Sequence, residues 1–463
     1  MNPGPELFIG LVAPLGTKPP NFVEDLEGAL ATWGYSTTVV KLSELLHSTP
    51  PIGEHANDRV RRLIAAGDEL CTRANSPDAV AALALSEVQS VRLARAGSSE
   101  QPLERGAFIL DSLKRPGEVD MLRRVYGDLF FLVGLERGMT NRINQEAALL
   151  TSHVDWDAKQ REEEARSLID LDADETSLDY GQGVDRTFPL SDYFVEEGEA
   201  PTRLVDLLFG EPSHAPRAGE RAMFIAAATA ASSLSASRRV GAAIVDHDDR
   251  LLAVGRNEVP ENETPDIKRG FDSNKQDQRS LLHDTLTRFV TLGLLTDDAR
   301  RQLSEHQDEF LDETLGRLRG ATLMSVIEYQ RAVHAEMDAI TDAARRGVSL
   351  RGSCLYVTTY PCHLCAKHFN AVGIGTTYFI EPYPKSRTEV MYSASASSIQ
   401  PYFGVAPRSY QRLFESRVLP EADLRGMIIR SPKKEVSPLV ANPFDVSYIE
   451  RERVRLGNPG EQG

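Results

Sequence analysis

Two short stretches constrain this chain more than any other part of its 463 residues. The first, VHAEMDAI, places His334 and Glu336 two residues apart. The second, YPCHLCAK, carries Cys362 directly after a proline and Cys365 three residues later. Imidazole nitrogen and thiolate sulfur are ligands that Zn²⁺ prefers in proteins. We expect a fold that brings the two stretches together, with zinc held by His334, Cys362 and Cys365.

Three ligands are one fewer than a closed structural zinc site uses, whereas a catalytic zinc keeps one position for water. The spacing therefore favours a catalytic site. Glu336 lies two residues beyond the histidine, so it is expected to face the open position rather than the metal. Zinc lowers the pKa of bound water towards about 7, and Glu336 is predicted to act as the general acid and base.

The order of the motifs adds specificity that neither has alone. A bare Cys-x-x-Cys is often a structural zinc knuckle or a redox pair, and a bare His-x-Glu usually arises by chance. Taken together, the two match the H-x-E…P-C-x-x-C signature that zinc-dependent nucleobase deaminases share. We therefore interpret the two stretches as one catalytic metal site.

The patterns around the motifs predict an α/β fold in two domains. Apolar strands alternate with helices over residues 1–209, which indicates a parallel sheet covered by helices. Residues 210–220 are rich in Pro, Gly and charge and are predicted to be a linker. In the second domain, residues 221–463, a leading helix precedes a ββαβαβ order with a polar, mostly helical insertion at 261–332.

Composition excludes several classes of protein. The net charge is −16, with 52 basic against 68 acidic residues, which argues against a general polyanion-binding protein. Four cysteines are too few for a disulfide scaffold in a chain of this length. No apolar run is long enough to cross a bilayer, and the N-terminus lacks a secretory pattern, so a cytoplasmic protein without membrane partners is expected.

The segment SRRVGAAIVDHDDRLLAVGRNEVP, together with the zinc motifs, resembles the β-hairpin of the cytidine and deoxycytidylate deaminase superfamily. The resemblance implies a cytidine-deaminase-like α/β/α sandwich that deaminates deoxycytidine nucleotides, with dCTP and dCMP both open as substrates. It also implies that Asn257 contacts the sugar. The backbone at Ala335 and the strand end at Thr359 and Tyr360 would frame the base.

Phosphate recognition is less well defined by the sequence. Arg238 and Arg239 precede the hairpin, and Lys385 follows the zinc motifs, so each is a candidate for contacting a phosphate. For an exposed arginine pair, simple solubility is an equally good explanation.

The layout of nearly the whole chain resembles bacterial anti-phage dCTP/dCMP deaminases, in which an N-terminal domain like a P-loop kinase is joined to the deaminase domain. This resemblance implies that the protein depletes deoxycytidine nucleotides in antiviral defence. It also implies homo-oligomers, allosteric control by a nucleotide at the N-terminal domain and, in some members, restraint by a small RNA.

The N-terminal loop GLVAPLGTKPP departs from a working P-loop, which reads G-x-x-x-x-G-K-[ST]. Gly10 and Gly16 are one residue too far apart, and Thr17 separates Gly16 from Lys18. Backbone amides of such a loop can still bind a nucleotide at a helix start. We therefore expect a degenerate, regulatory or oligomeric domain rather than a kinase.

Three other functions were compatible with some of these features. A nucleic-acid-editing cytosine deaminase would use the same chemistry on a flipped base, but the negative charge disfavours it. A nucleotide-sensing module with an idle zinc site would be expected to lack the catalytic glutamate, and Glu336 is present. A true kinase–deaminase fusion would transfer phosphate from ATP.

Overall fold

The structure, a computed structural model, describes residues 4–17, 21–46, 51, 53–150, 155–174, 180–236, 238–318, 321, 330–383, 386–392, 398–415, 422, 427–428, 432–439 and 447–456. The chain divides into two compact units. The first comprises residues 1–220 and 403–463, and the second comprises residues 221–402.

The first unit is built on a six-stranded sheet. Its strands are β1 (Leu7–Val12), β2 (Ser36–Lys41), β3 (Gly106–Asp111), β4 (Phe130–Leu135), β5 (Tyr193–Val195) and β11 (Gly404–Val405). Their order is β11-β5-β4-β1-β3-β2, and every neighbouring pair is parallel except β11 with β5. β1, β3 and β4 are buried along their whole length, as expected for parallel strands that are covered on both faces. The predicted parallel sheet is confirmed.

The first unit also contains helices. They are α1 (Phe22–Thr32), α2 (Ala56–Ala74), α3 (Ala79–Ala96), α4 (Pro116–Tyr126), α5 (Met139–Leu149), α6 (Ala158–Ala173), α7 (Val184–Thr187), α8 (Thr202–Leu208), α17 (Tyr410–Phe414) and α18 (Ser447–Leu456). In α1, Phe22, Leu26 and Leu30 recur at a spacing of four and are all buried in the core of the unit.

Residues 403–463 belong to the first unit, which corrects the prediction from sequence that they are part of the second domain. Two features account for the difference. Gly404 and Val405 extend the first sheet by pairing with Phe194 and Tyr193. Farther along, α18 inserts Glu452 into a fully buried network with Arg92. Such pairings join residues more than 200 positions apart, and no local sequence pattern encodes them.

The buried network in the first unit is centred on Arg92 of α3. Its guanidinium contacts Glu6 at 2.9 Å and Glu452 at 2.6 Å, and all three side chains are fully buried. Tyr448 donates a hydrogen bond of 2.9 Å to Glu6. Because the one cation serves two buried carboxylates, its removal would leave both charges without compensation.

We predict that Arg92→Leu lowers the free energy of unfolding of the first unit by about 3–5 kcal/mol. Both tryptophans, Trp33 and Trp156, lie in this unit, so tryptophan fluorescence during urea unfolding measures its stability. The control is Arg95→Leu, an exposed position on the same helix, for which a change within about 0.5 kcal/mol is expected. Equal effects of the two substitutions would contradict the importance assigned to the network.

The second unit contains a five-stranded mixed sheet. Its strands are β6 (Gly241–Val245), β7 (Leu251–Arg256), β8 (Cys354–Thr359), β9 (Thr376–Glu381) and β10 (Ile399–Pro401). Their order is β10-β9-β8-β6-β7. β6 is antiparallel to both β7 and β8, whereas β8, β9 and β10 are parallel.

The helices outside the insertion complete this unit. They are α9 (Ala218–Ala230), α14 (Ala335–Arg346), α15 (His363–Ala371) and α16 (Thr388–Met391). The predicted ββαβαβ order after a leading helix is confirmed. α14 ends at Arg346 and is followed by Gly347, whose φ of 66° lies in the left-handed region that favours glycine.

Two glycines show that helices cover both faces of the sheet. A Cβ on Gly241 would lie 1.9 Å from the carbonyl oxygen of Ala226 in α9. One on Gly255 would lie 2.1 Å from the carbonyl oxygen of Ala335, at the start of α14. Gly241 pairs with Arg256, so Gly255, the preceding residue, faces the opposite side. The second unit is therefore an α/β/α sandwich, and its close packing requires glycine at both positions.

The insertion folds as helices with a small core of their own. They are α10 (Asp266–Arg269), α11 (Ser273–Thr291), α12 (Asp297–Glu305) and α13 (Gln307–Arg317). Leu282, Leu286, Leu303 and Leu311 are buried against one another. Within the described parts of the chain, no helix combines the length and apolar character needed to span a membrane.

Candidate metal centre

His334, Cys362 and Cys365 converge at the starts of two helices. His334 is the residue before α14, and Cys362 is the residue before α15. The Nδ1 atom of His334 lies 3.3 Å from Sγ of Cys362 and 3.4 Å from Sγ of Cys365. Their ligand atoms all lie within 4.8 Å of one another, and no other such cluster of potential metal ligands occurs among the described residues.

These separations fit a zinc ion. Zinc–sulfur bonds of about 2.3 Å and zinc–nitrogen bonds of about 2.1 Å place tetrahedral ligand atoms about 3.6 Å apart. The observed separations of 3.3 and 3.4 Å are close to that value. A set of one nitrogen and two sulfur donors also binds zinc in preference to magnesium or calcium, which prefer oxygen donors.

Hydrogen bonds to backbone groups, from other backbone groups or from side-chain hydroxyls, fix the two segments that carry the ligands. Val333, just before the histidine, exchanges two backbone hydrogen bonds with Glu258, of 2.9 and 3.1 Å. On the other segment, the carbonyl oxygen of Pro361 accepts hydrogen bonds from Ser386 at 2.8 Å and Thr388 at 3.1 Å. The thiols then lie at the positive end of α15, which favours thiolates.

The electrostatics of the thiol pair suit a cation. A hydrogen bond from Cys365 and the nearby His334 lower the pKa of Cys362 to about 4, although burial opposes this shift. The same hydrogen bond, together with burial, raises the pKa of Cys365. Metal binding favours the deprotonated form of both thiols, so the pair is suited to exchange its proton for a metal ion.

Glu336 lies on the first turn of α14, beside the ligands. It is 4% exposed and lines the same cavity as His334 and Cys362. Burial and the negative charge of Cys362 raise the pKa of Glu336 to about 7. A bound cation opposes the effect of the Cys362 thiolate on the pKa of Glu336. A buried carboxyl group with such a pKa can both accept and donate a proton near neutral pH.

The cavity above these residues has a volume of about 380 Å³, within the range of small-molecule sites. It is lined by Ser235, Arg238, Val240, Asn257, Asp272, Asn274, Lys275, Gln278, Gln330, Ala332, His334, Ala335, Glu336, Thr359, Tyr360, Cys362 and Tyr383. The predicted substrate residues Asn257, Ala335, Thr359 and Tyr360 thus share one cavity with the metal ligands.

Asn257 lies at the cavity wall with both ends of its amide engaged. Its Oδ1 accepts a 2.6 Å hydrogen bond from the backbone N–H of Val240, and its Nδ2 donates one of 2.7 Å to the carbonyl oxygen of Arg238. The side chain therefore shapes the segment before β6. Its predicted contact with a sugar stays a prediction.

The candidate phosphate residues differ in placement. Arg238 lines the cavity, 3.6 Å from Glu381 and over the ring of Tyr383. Arg239 is exposed and lies outside the lining. Lys385 falls outside the described residues.

Sequence reasoning missed the wall that the insertion provides. The start of α11 brings Asp272, Asn274, Lys275 and Gln278 to the cavity. Lys275 adds a second cation to the same lining as Arg238. No local motif marks these residues, because their approach to the cavity depends on how the insertion folds back.

The N-terminal loop of the first unit follows β1. Gly10 lies within β1, and Gly16 has a φ of 82° in the turn that follows. Lys18 lies outside the described residues. Thr17 has a buried hydroxyl with no hydrogen-bond partner among the described residues. The backbone N–H of Leu15, however, donates a 2.8 Å hydrogen bond to Asp172, so a carboxylate already uses one of the loop amides.

The fold and the metal centre together define a class. An α/β/α sandwich in which His-x-Glu and Cys-x-x-Cys meet at two helix starts, beside a small-molecule cavity, has the features of a zinc-dependent nucleobase deaminase. Residues 217–381 match the family described as the cytidine and deoxycytidylate deaminase zinc-binding region. This part of the chain therefore carries a deaminase zinc-binding region.

Several known proteins resemble shorter parts of the chain. ComE operon protein 2 of Bacillus subtilis is 45% identical over 53 residues, which are 11% of this chain and 28% of that protein. Deoxycytidylate deaminase of Enterobacteria phage T4 is 44% identical over 55 residues, which are 12% of this chain and 28% of that protein. A probable deoxycytidylate deaminase of Drosophila melanogaster is 29% identical over 157 residues, which are 33% of this chain and 56% of that protein. The chain thus spans between 28% and 56% of the length of these relatives.

Solved structures give a weaker comparison. The dCMP deaminase of cyanophage S-TIM5 in its apo form has 17% identity and a TM-score of 0.25, covering 41% of this chain and all of that one. Its complex with dCMP and dUMP has 18% identity and the same TM-score, covering 41% of this chain and 98% of that one.

Proposed function

We propose that the second unit hydrolyses the exocyclic amino group of a deoxycytidine nucleotide, converting dCMP to dUMP, dCTP to dUTP, or both. The observation that carries this proposal is the convergence of three zinc-type ligands within 4.8 Å, beside the buried carboxyl group of Glu336. Both features open onto a single cavity of about 380 Å³.

The residues present can carry out each proton transfer. When bound, zinc supplies a Lewis acid that lowers the pKa of a coordinated water towards about 7. Glu336 accepts a proton from the attacking water and delivers it to ring nitrogen 3 of cytosine. It then transfers the second proton of that water to the amino group on carbon 4. The carbon–nitrogen bond breaks, a carbonyl group forms and ammonia leaves, so one water is consumed and no oxidant is needed.

The cavity also suits the rest of a nucleotide. Ala335 and Thr359 are buried beside the ligands, where the flat base would lie away from bulk water. Arg238 and Lys275 line the same cavity and provide the positive charge that a phosphate requires. A free nucleotide therefore fits the chemistry of the lining better than a neutral nucleobase does.

We predict that Arg238→Gln raises the KM for dCMP about 10- to 100-fold, because a charge-assisted hydrogen bond contributes about 1.5–3 kcal/mol. Turnover of deoxycytidine, which has no phosphate, should change much less. Arg239→Gln is the matched control, since it removes the same charge one residue away but outside the cavity lining. Steady-state kinetics of the three proteins measure the difference. Equal effects of the two substitutions would count against phosphate binding by Arg238.

A substrate panel tests the proposed function. Purified protein is incubated with dCMP, dCTP, CMP, deoxycytidine and single-stranded DNA, and uracil products are quantified with and without added dTTP or dCTP as effector. Uracil formation from dCMP or dCTP supports the proposal. Product only from single-stranded DNA would indicate a nucleic-acid-editing enzyme instead, and no product with zinc bound would indicate a nucleotide-sensing module.

We also propose, from the resemblance of the whole chain, a cellular role in depleting deoxycytidine nucleotides during phage infection. In this proposal, the protein forms homo-oligomers, and nucleotide binding at the loop of Gly10 to Lys18 regulates it, as does a small RNA. The buried hydroxyl of Thr17, which has no hydrogen-bond partner among the described residues, supports a ligand near that loop. Measuring dCTP in infected cells that carry the active protein or its Glu336→Gln variant tests the role, and equal dCTP levels would contradict it.

A further inference from the structure

The imidazole of His334 has two nitrogens in different surroundings. Nδ1 faces the two thiols at 3.3 and 3.4 Å, whereas Nε2 lies 2.5 Å from Oε1 of Gln330. A histidine binds a metal through an unprotonated nitrogen, so its proton must reside on the other one. The partner of that second nitrogen therefore decides which tautomer the ring adopts.

We infer that Gln330 is a positioning residue that holds His334 in the tautomer that binds metal. An amide oxygen can only accept a hydrogen bond, so Oε1 of Gln330 requires the proton to be on Nε2. The lone pair on Nδ1 then points towards the thiols, where a metal would lie. This inference rests on the proposed zinc site and goes beyond it, because it assigns a role to a residue outside the signature motifs.

The neighbours of Gln330 keep it in place. Arg331, the next residue, forms salt bridges with Glu263 at 2.9 Å and Asp266 at 3.0 Å. Both acids lie near the beginning of the insertion, whereas Gln330 lies near its end. The two ends of the insertion are thus tied together beside the metal ligand. Through Gln330, the insertion contributes directly to the geometry of the metal centre.

A neutral acceptor also suits the charge of the site. Metal binding requires both thiols to be deprotonated, so with Glu336 ionised a carboxylate at residue 330 would add a fourth negative charge. Glutamate would still accept the hydrogen bond from Nε2, whereas leucine would not. The two substitutions therefore separate the hydrogen bond from the space that the side chain fills.

Zinc affinity provides the test, measured without substrate by competition with a chromophoric chelator. Gln330→Leu is expected to weaken zinc binding about 10- to 100-fold, the usual effect of losing a partner of a metal-binding histidine. In the separate variant Gln330→Glu, zinc affinity should stay within a few fold of that of the unmodified protein. The control is Gln278→Leu, which removes the other glutamine amide from the cavity lining and should leave zinc affinity unchanged.

The visible spectrum of the Co²⁺-substituted protein gives a second readout, because its bands depend on ligand geometry. Gln330→Leu should alter those bands, and Gln330→Glu should not. Unchanged zinc affinity and an unchanged Co²⁺ spectrum in Gln330→Leu would overturn the inference, as would equal losses in the leucine and glutamate variants. If the unmodified protein binds zinc but fails to deaminate any nucleotide, the proposed function fails while this inference stands on the affinity data.

Discussion

Replacing Glu336 with glutamine is expected to reduce the rate of deamination about 10²- to 10⁴-fold while zinc stays bound. Glutamine has nearly the same shape as glutamate but cannot accept a proton from water or return one to the base. Glu336 is 4% exposed, so a substitution of the same size is needed to avoid leaving a hole beside the ligands. The measurements are steady-state release of dUMP from dCMP and the zinc content of the same preparation.

Asp342→Asn is the matched control for this prediction. Asp342 lies on the same helix as Glu336 but pairs with Arg346 at 2.7 Å, away from the cavity lining. A surface pair of this kind contributes little stability, so activity should be retained. Turnover that persists in Glu336→Gln, with zinc bound, would show that another group transfers the protons.

Cys365→Ser is expected to remove both zinc and activity. A serine hydroxyl stays protonated at neutral pH and is a poor replacement for a thiolate ligand. Cys365 is fully buried beside His334 and Cys362, so no exposed side chain can readily move in to replace it. The zinc content should fall from about one ion per chain to near zero, and deamination should fall below detection.

Cys354→Ser provides the comparison for the metal ligand. Cys354 lies in β8 of the same unit and is outside the cluster of ligand atoms. This variant should keep its zinc and its activity. A stoichiometric zinc ion in Cys365→Ser, or an equal loss of zinc in Cys354→Ser, would refute the assignment of the ligands.

The cluster of candidate metal ligands was predictable because each half of it is encoded locally. His334 and Glu336 flank a helix start, and Cys362 and Cys365 share the first turn of another helix. Within a helix start, residue spacing fixes side-chain direction. The ligand chemistry of these residues, rather than the order of strands and helices, predicted that the two starts would meet.

The rest of the site depends on distant parts of the chain. Gln330 and Lys275 reach the cavity from the two ends of the insertion, where polar helical sequence carries no distinctive pattern. For Asn257, the sequence identified a cavity residue but could not show that its amide bonds to the backbone on both sides. Residues 403–463 were placed in the wrong unit for the same reason, because their pairing with β5 is not a local property.

A crystal structure with anomalous diffraction data at the zinc edge would show whether His334, Cys362 and Cys365 hold a zinc ion. One zinc peak is expected, about 2.3 Å from the sulfurs of Cys362 and Cys365 and about 2.1 Å from Nδ1 of His334. Its fourth ligand should be a solvent molecule within hydrogen-bond distance of Glu336. A fourth protein side chain on the metal, or the absence of a zinc peak at these three residues, would contradict the account.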